Sequence, residues 1–211
     1  MVKKITNANL NDYAKKIANA PKYGVENKLI EAALKNNPQN TDISVVAMKI
    51  CLIDLTNGTT LNRNLGTNGG LYLLSKKITQ SDFDKRVQKG DLLLVEELSK
   101  WTKEDIGKNL FSFISKYCLY HNVHCYDRDD YVIVDRILCD NLGQYITEED
   151  YQEITGKTLR KNSFQKMREN IDYLTYIKVI DHIIQENNIS VDKPHRKFDW
   201  FIWFKHGKEN P

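Results

Sequence analysis

The chain has 211 residues, of which 41% are apolar and 28% are charged, and its formal net charge is +3. This length supports one well-buried core, so we predict a single domain over residues 1–211, built either as one body or as two lobes that flank a cleft. No run approaches the roughly 18 to 20 consecutive apolar residues of a membrane span, and no apolar stretch follows the basic N-terminal segment. We therefore expect neither a membrane span nor a secretory signal. The four cysteines have no framework-like spacing, which indicates reduced thiols and a cytoplasmic protein.

Apolar residues recur at helical spacing along the first part of the chain. One predicted helix runs through Leu10–Ala18 and a second through Leu29–Leu34. Asp42 can cap a third helix, whose run VVAMKICLIDL is apolar almost all round, and Gly58 can end it. A helix that is apolar on every side is typically buried, so we predict that this one is central.

Helical spacing continues to the C-terminus, whereas the period-2 alternation of a β-strand is scarce. Thr102 and Asp105 resemble a capping box ahead of one of these helices. The further predicted helices cover Leu71–Ile78, Ser81–Gln88, Asp91–Trp101, a segment that ends near Tyr120, a segment that starts near Asp130, then Ser163–Gln185 and Arg196–Phe204. We therefore predict an all-α protein, a compact helical bundle with a cleft.

The segment between residues 111 and 138 combines an amine with a cluster of carboxylates. Lys116 lies off the apolar stripe of its predicted helix, and Asp127, Asp129 and Asp130 follow in the next connection. A lysine with a lowered pKa is a good nucleophile towards an electrophilic carbon, and a nearby carboxylate can take its proton or stabilise positive charge. The ordinary alternative is a solvated lysine and an aspartate that caps the following helix.

The same segment resembles a known family. Residues 106–118, which read IGKNLFSFISKYC, together with residues 120–122 and 130–132, are similar to the core of the OGG-like DNA glycosylases. These enzymes belong to the helix-hairpin-helix superfamily, which includes the 8-oxoguanine glycosylases. The shared pattern is a glycine turn, a helix that carries Ser-Lys, a short loop and a helix start of the form Tyr-Asp-Ser-x-Val. Near the C-terminus, Asp199-x-x-x-Trp203 is similar to the Asp-x-x-x-Trp ending of the group.

The resemblance implies a role for each matching residue. Lys116 would be the nucleophile and Asp130 the carboxylate, with Asp129 left open as an alternative to Asp130. The implied reaction is attack at C1′ of a damaged nucleotide that has been flipped out of the duplex, followed by Schiff-base formation and β-elimination. Gly107 and Lys108 would contact DNA at the hairpin. Asp199 and Trp203 would line the base pocket, and no metal or organic cofactor is required.

A basic segment adds candidate phosphate contacts. Residues 155–168 carry five cations and no acid, namely Lys157, Arg160, Lys161, Lys166 and Arg168. Lysine and arginine neutralise phosphates and give a salt-dependent affinity for nucleic acid. The alternative is a solvated loop and helix face, which is the commoner meaning of such a run.

Two further patterns have competing interpretations. Cys118, His121, His124 and Cys125 have side chains that can bind zinc, although their spacing lacks a paired Cys-x-x-Cys knuckle. The aromatic residues between 198 and 204 could supply a ring that stacks on a flipped base, or could dock the last helix on the core.

These observations lead to one expectation and two alternatives. We expect a DNA glycosylase and AP lyase that acts on damaged or modified double-stranded DNA. The first alternative is a non-catalytic helical module that binds nucleic acid or protein. The second is a helical adaptor stabilised by zinc.

Overall fold

The computed structural model describes residues 2–58, 61, 65 and 69–207, and within them the chain is all-α, as predicted. The described part contains no β-strand, and none of its helices is long and apolar enough to cross a membrane. A short 3₁₀ helix, Leu142–Gln144, directly follows the α-helix Arg136–Asn141. The α-helices of the described residues are α1 Asn7–Asn19, α2 Pro21–Asn36, α3 Ile43–Asn57, α4 Gly70–Thr79, α5 Phe83–Lys89, α6 Leu93–Asp105, α7 Phe111–Tyr126, α8 Arg136–Asn141, α9 Glu148–Thr155, α10 Ser163–Asn170, α11 Tyr173–Glu186 and α12 Pro194–His206.

The chain divides into two compact units. The first unit comprises Met1–Gly24 and Val132–Pro211, and the second comprises Val25–Tyr131. The single domain predicted from the sequence, built either as one body or as two lobes that flank a cleft, stays a prediction.

In the second unit, α7 occupies the centre that the sequence assigns to α3. Every residue of α7 from Phe113 to Asn122 is buried, so its apolar surface extends all round the helix instead of along one stripe. α3 begins at its predicted cap, where Asp42 accepts hydrogen bonds from the two amides of Ser44 and Val45, and it ends at Gly58 with φ 56°. The prediction that α3 is buried on all sides is wrong. Met48 and Leu55 on α3 are 45% and 80% exposed.

The predicted capping box at Thr102 is also wrong. Thr102 is fully buried inside α6, where its hydroxyl donates to the carbonyl of Ser99 and accepts from the amide of Leu110. The N-cap residue of α7 is Leu110 instead, and Asn109 before it accepts at Oδ1 from the amide of Phe111 at 3.0 Å. A threonine hydroxyl can satisfy backbone groups inside a helix as well as at its start, which is why the pattern misleads.

Two helix boundaries after α7 differ from the predictions. The prediction that a helix starts near Asp130 is wrong. Residues 127–135 are not helical, and α8 begins at Arg136 with Asp135 as its cap. The apolar residues 131–134 are buried without being helical. The helix predicted over Ser163–Gln185 is two helices, α10 and α11, because Ile171 between them adopts a left-handed conformation with φ 57°.

The first unit is organised around the aromatic helix α12, which packs against α1 and α8. Phe198, Phe201 and Phe204 are buried, which confirms that this helix docks on the core. Edge-to-face ring contacts join it to neighbouring elements, with Tyr13 at 5.3 Å from Phe201 and Tyr23 at 4.7 Å from Trp203. Such ring pairs add to the stabilisation that burial alone provides.

Candidate functional site

The helices α6 and α7 pack against each other and are joined by residues 106–110. Gly107 in this connection has φ 72°, a left-handed conformation that favours glycine, and the amides of Ile106 and Lys108 both donate to the carbonyl of Thr102. Gly107 and Lys108 are exposed at the turn. The predicted glycine turn between two helices is therefore present, with its backbone closed on the end of α6.

Lys116 lies on α7 and is only 8% exposed, so it belongs to the buried surface of that helix. The sequence analysis places Lys116 off the apolar stripe of this helix, whereas the structure buries it together with the neighbouring residues of α7. A lysine at this depth is held by its surroundings, unlike the solvated lysine of the ordinary alternative.

Asp130 is anchored to the helix that carries Lys116. Asn122 of α7 is fully buried, and its side-chain amide donates from Nδ2 to Asp130 Oδ2 at 2.8 Å and accepts at Oδ1 from the Asp130 backbone amide at 2.9 Å. The same Nδ2 donates to the carbonyl of Val87 at 3.0 Å. Asn122 lies six residues after Lys116, which is about 9 Å along a helix axis. One buried side chain thus fixes both the backbone and the carboxylate of Asp130.

Two other residues surround the Asp130 carboxylate. Arg128 donates to both of its oxygens, from Nε at 2.5 Å and from Nη2 at 2.8 Å, in the bidentate geometry that suits a guanidinium and a carboxylate. Gly90, with φ 71°, lies so close that a Cβ built there would be 2.8 Å from Asp130 Cγ. The pairing of Lys116 with Asp130, or with Asp129, stays a prediction.

A buried polar cluster in the same unit has no counterpart in the sequence predictions. Lys49 of α3 is fully buried, and its Nζ donates to the carbonyl of Gln39 at 2.8 Å and to Asn40 Oδ1 at 3.2 Å. Tyr117 donates from its hydroxyl to the same Asn40 oxygen at 2.7 Å. The backbone and side-chain amides of Asn40 both donate to the carboxylate of Asp84. Asn40 therefore links Lys49 to Asp84 through hydrogen bonds, since it accepts from the lysine and donates to the carboxylate.

Burial shifts the pKa values of this cluster. Loss of solvent lowers the pKa of Lys49 to about 8, although the charges of Cys125 and Asp84 oppose the shift. It also lowers the pKa of His121 to about 3, with a smaller contribution from the positive charge of Lys49. His121 donates from Nδ1 to the carbonyl of Tyr117 at 2.8 Å, and its buried Nε2 has no hydrogen-bond partner among the residues that the structure describes. Because Lys49 and His121 are fully enclosed, we interpret the cluster as part of the core.

A signal for Lys49 does exist in the sequence. Lys49 is the one charged residue between positions 45 and 53. Helical spacing places it on the same face as Val46, Ile50 and Ile53, all of which are buried. A lysine within an apolar face indicates a buried amine. Asn122 has no such signal, because an asparagine near the end of a helix is typical of a solvated position.

The zinc interpretation receives no support from the geometry. Among residues 2–58, 61, 65 and 69–207, no group of three or more His, Cys, Asp or Glu side chains is placed to hold a metal ion. Cys118 is fully buried, and burial raises the pKa of its thiol far above the usual value, which disfavours the thiolate that zinc requires.

The remaining candidate residues belong to the first unit. Of the five basic residues, Lys157, Arg160, Lys161 and Lys166 are exposed, and Arg168 is half-buried beside Gln165. Trp203 is half-buried and lines a cavity, described below. Asp199 is 5% exposed and accepts a hydrogen bond from Arg196 Nη1 at 3.0 Å within a buried ion pair. The roles of these residues in binding DNA stay predictions.

The comparison with known protein families gives one match. The family model HI_0787_N, described as an N-terminal domain, matches residues 9–128, which is more than half of the chain. The chain belongs to this family. The HI_0787_N match includes Lys116, Asn122 and the whole Lys49 cluster, and it ends two residues before Asp130. No curated protein and no solved structure matches the chain.

Proposed function

We propose that this protein is a DNA glycosylase with AP lyase activity, in which Lys116 attacks the C1′ carbon of a damaged or modified nucleotide in double-stranded DNA. The observation that carries the proposal is the anchoring of Asp130 to α7, the helix on which Lys116 lies. The glycine turn between α6 and α7 supports it as well, since the resemblance implies a glycine turn ahead of the helix that carries the nucleophile.

The proposed chemistry uses groups of this chain alone. The neutral amine of Lys116 forms a bond to C1′ while the glycosidic bond breaks, and the base leaves with the bonding electrons and takes up the proton that the new C1′ ammonium releases. The C1′–O4′ bond then breaks, O4′ keeps the electron pair and takes a proton from water, and an iminium ion forms. Water removes a C2′ proton, and the 3′ phosphate leaves with its bonding electrons. Asp130 would stabilise the positive charge that develops during this sequence, held in place by Asn122. The target nucleotide must be flipped out of the duplex to reach the amine.

One observation favours the non-catalytic alternative. The carboxylate of Asp130 is already bound by the bidentate guanidinium of Arg128 and by Asn122. A carboxylate that is neutralised in this way is a weaker proton acceptor than a free one. A helical module that binds DNA without cleaving it would keep the same exposed cations, among them Lys108 and Lys157.

Borohydride trapping separates these two functions. The wild-type protein is incubated with duplexes that contain an abasic site or one of a panel of damaged bases, reduced with borohydride, and examined for a covalent adduct. We expect an adduct for the wild type, none for Lys116→Gln, and wild-type yield for the control Lys103→Gln, which removes an exposed lysine of α6. Circular dichroism verifies that each variant is folded.

DNA binding is measured on the same samples by gel shift. A wild-type protein that shifts DNA but forms no adduct with any duplex would overturn the glycosylase proposal in favour of the module. A protein that neither shifts DNA nor forms an adduct would overturn both. An adduct that persists in Lys116→Gln would place the nucleophile at another amine.

A further inference from the structure

A cavity of about 340 Å³ lies within the first unit. Its lining comes from the first turn of α2, one face of α8 and the end of α12, with the residues Tyr23, Arg136, Ile137, Asp140, Trp203 and His206 among its walls. A volume of this size is within the range of pockets that hold small organic ligands. Neither Lys116 nor Asp130 belongs to this unit, and Asp199 does not line the cavity.

Two aromatic rings form one wall of the cavity. Tyr23 and Trp203 meet edge to face, with ring centroids 4.7 Å apart, and Trp203 also contacts Phe204 of the core. Both rings are half-buried, both line the cavity, and each packs against other aromatic rings of the unit. Fixed aromatic rings provide a surface on which a planar heterocycle can stack at little entropic cost.

One cation lines the cavity, and a second lies beside its aromatic wall. Arg136 is exposed on α8 and lines the cavity, and the ammonium of Lys22 lies 5.4 Å from the ring centre of Tyr23. Burial and the charges of Lys3 and Lys205 lower the pKa of His206, so its imidazole is neutral near pH 7. His206 is held by a 2.8 Å hydrogen bond between its Nε2 and the hydroxyl of Tyr145.

Asp140 adds an acceptor on the face that carries Arg136. The two residues are one helical turn apart on α8, and Gln165 donates from Nε2 to Asp140 Oδ1 at 2.8 Å. A carboxylate in this position can accept a hydrogen bond from an amino group or a sugar hydroxyl. An aromatic wall, a guanidinium and a fixed carboxylate together match a ligand with a ring, an anionic group and a neutral donor.

We propose that this cavity binds a planar heterocycle that carries a phosphate, as in a mononucleotide, with the ring against Trp203 and Tyr23 and the phosphate at Arg136. The ligand is either a free nucleotide or one nucleotide of a single strand. The proposal shares Trp203 with the base pocket that the resemblance implies, but it uses neither Lys116 nor Asp130 and does not require base excision.

Isothermal titration calorimetry of the full chain tests this site. The probes are AMP and GMP, with adenosine as a ring without phosphate and inorganic phosphate as an anion without a ring. We expect both nucleotides to bind, adenosine to bind at least about tenfold more weakly, and phosphate alone to give no measurable heat. Arg136→Gln should weaken AMP binding about tenfold and leave adenosine binding unchanged. The matched control is Lys178→Gln, which removes an exposed cation of the same unit that does not line the cavity.

The outcomes separate cleanly. Absence of heat with both nucleotides at millimolar concentration would overturn the proposal, as would equal weakening of AMP binding by Arg136→Gln and Lys178→Gln. Binding of phosphate as tight as that of AMP would reduce the cavity to an anion site and also overturn it. A five-nucleotide deoxyadenosine strand identifies the source of the ligand: tighter binding of the strand than of AMP indicates a nucleotide within a strand, and equal or weaker binding indicates a free nucleotide.

Discussion

Replacing Lys49 with methionine should change how the stability of the protein depends on pH. The pKa of Lys49 is about 8 in the folded protein, against 10.5 for an unperturbed lysine. Between these values the unfolded chain binds more protons than the folded one, so the free energy of unfolding rises with pH. A shift of this size corresponds to about 3 kcal/mol over the whole interval, of which about 1 kcal/mol is gained between pH 8 and pH 9.

The comparison with Lys49→Met isolates this contribution. Other buried groups oppose it above pH 9, because burial raises the pKa of the Cys125 thiol to about 11 and that of the Tyr117 hydroxyl well above its usual value. The variant keeps both of these groups and a side chain of similar length. The hydrogen bonds that Gln39 and Asn40 lose in the variant cost the same at each pH from 7 to 9, so they shift its curve without changing the slope.

Urea unfolding followed by far-ultraviolet circular dichroism, repeated from pH 7 to pH 9, measures the difference. We expect the free energy of unfolding of the wild type to rise relative to that of Lys49→Met by about 1 kcal/mol over this range. The control is Lys100→Met, which removes an exposed lysine paired with Glu96 and should give a curve parallel to the wild type. Parallel curves for the wild type and Lys49→Met would refute the argument that Lys49 is buried with a lowered pKa.

Two more predictions follow from groups near this cluster. The pKa of His121 is about 3 in the folded protein and 6.5 in an unperturbed histidine, so stability that is present above pH 6.5 is lost as the pH falls towards 3, on the order of 5 kcal/mol in total. Acid unfolding should show this loss in the wild type and lack it in His121→Phe. Gly90→Ala should cost about 1 to 3 kcal/mol, because it combines a left-handed backbone with a Cβ placed 2.8 Å from Asp130 Cγ. Gly156→Ala is its matched control, since φ is 68° there and no atom lies within 4 Å of the added Cβ; equal losses for the two glycines in thermal unfolding would contradict the close contact with Asp130.

Features set by a few neighbouring residues could be predicted from the sequence. The all-α class follows from helical spacing along the chain. The start of α3 follows from the side chain of Asp42 and its end from the conformational freedom of Gly58, and both act within one helical turn. The docking of α12 was predictable for the same reason, because its buried rings recur at helical spacing.

Features that depend on distant partners could not be predicted. Residues 131–134 have an apolar sequence typical of a buried helix, yet they are not helical, because the hydroxyl of Tyr173 accepts from the amide of Val132 and donates to its carbonyl. A backbone whose polar groups are satisfied by a side chain 41 residues away needs no helix. The position of Asp130 depends in the same way on Asn122 and Gly90, neither of which its local sequence indicates.

The hydrogen bonds of Asn122 have a mechanical consequence. Because this residue holds the main chain and the side chain of Asp130 at the same time, a displacement of α7 carries the loop with it. Thermal fluctuations of the helix should therefore alter the separation of Lys116 and Asp130 less than fluctuations of an untethered loop would. We therefore expect bending of other elements to leave the distance between Lys116 and Asp130 nearly unchanged, because both residues move with α7.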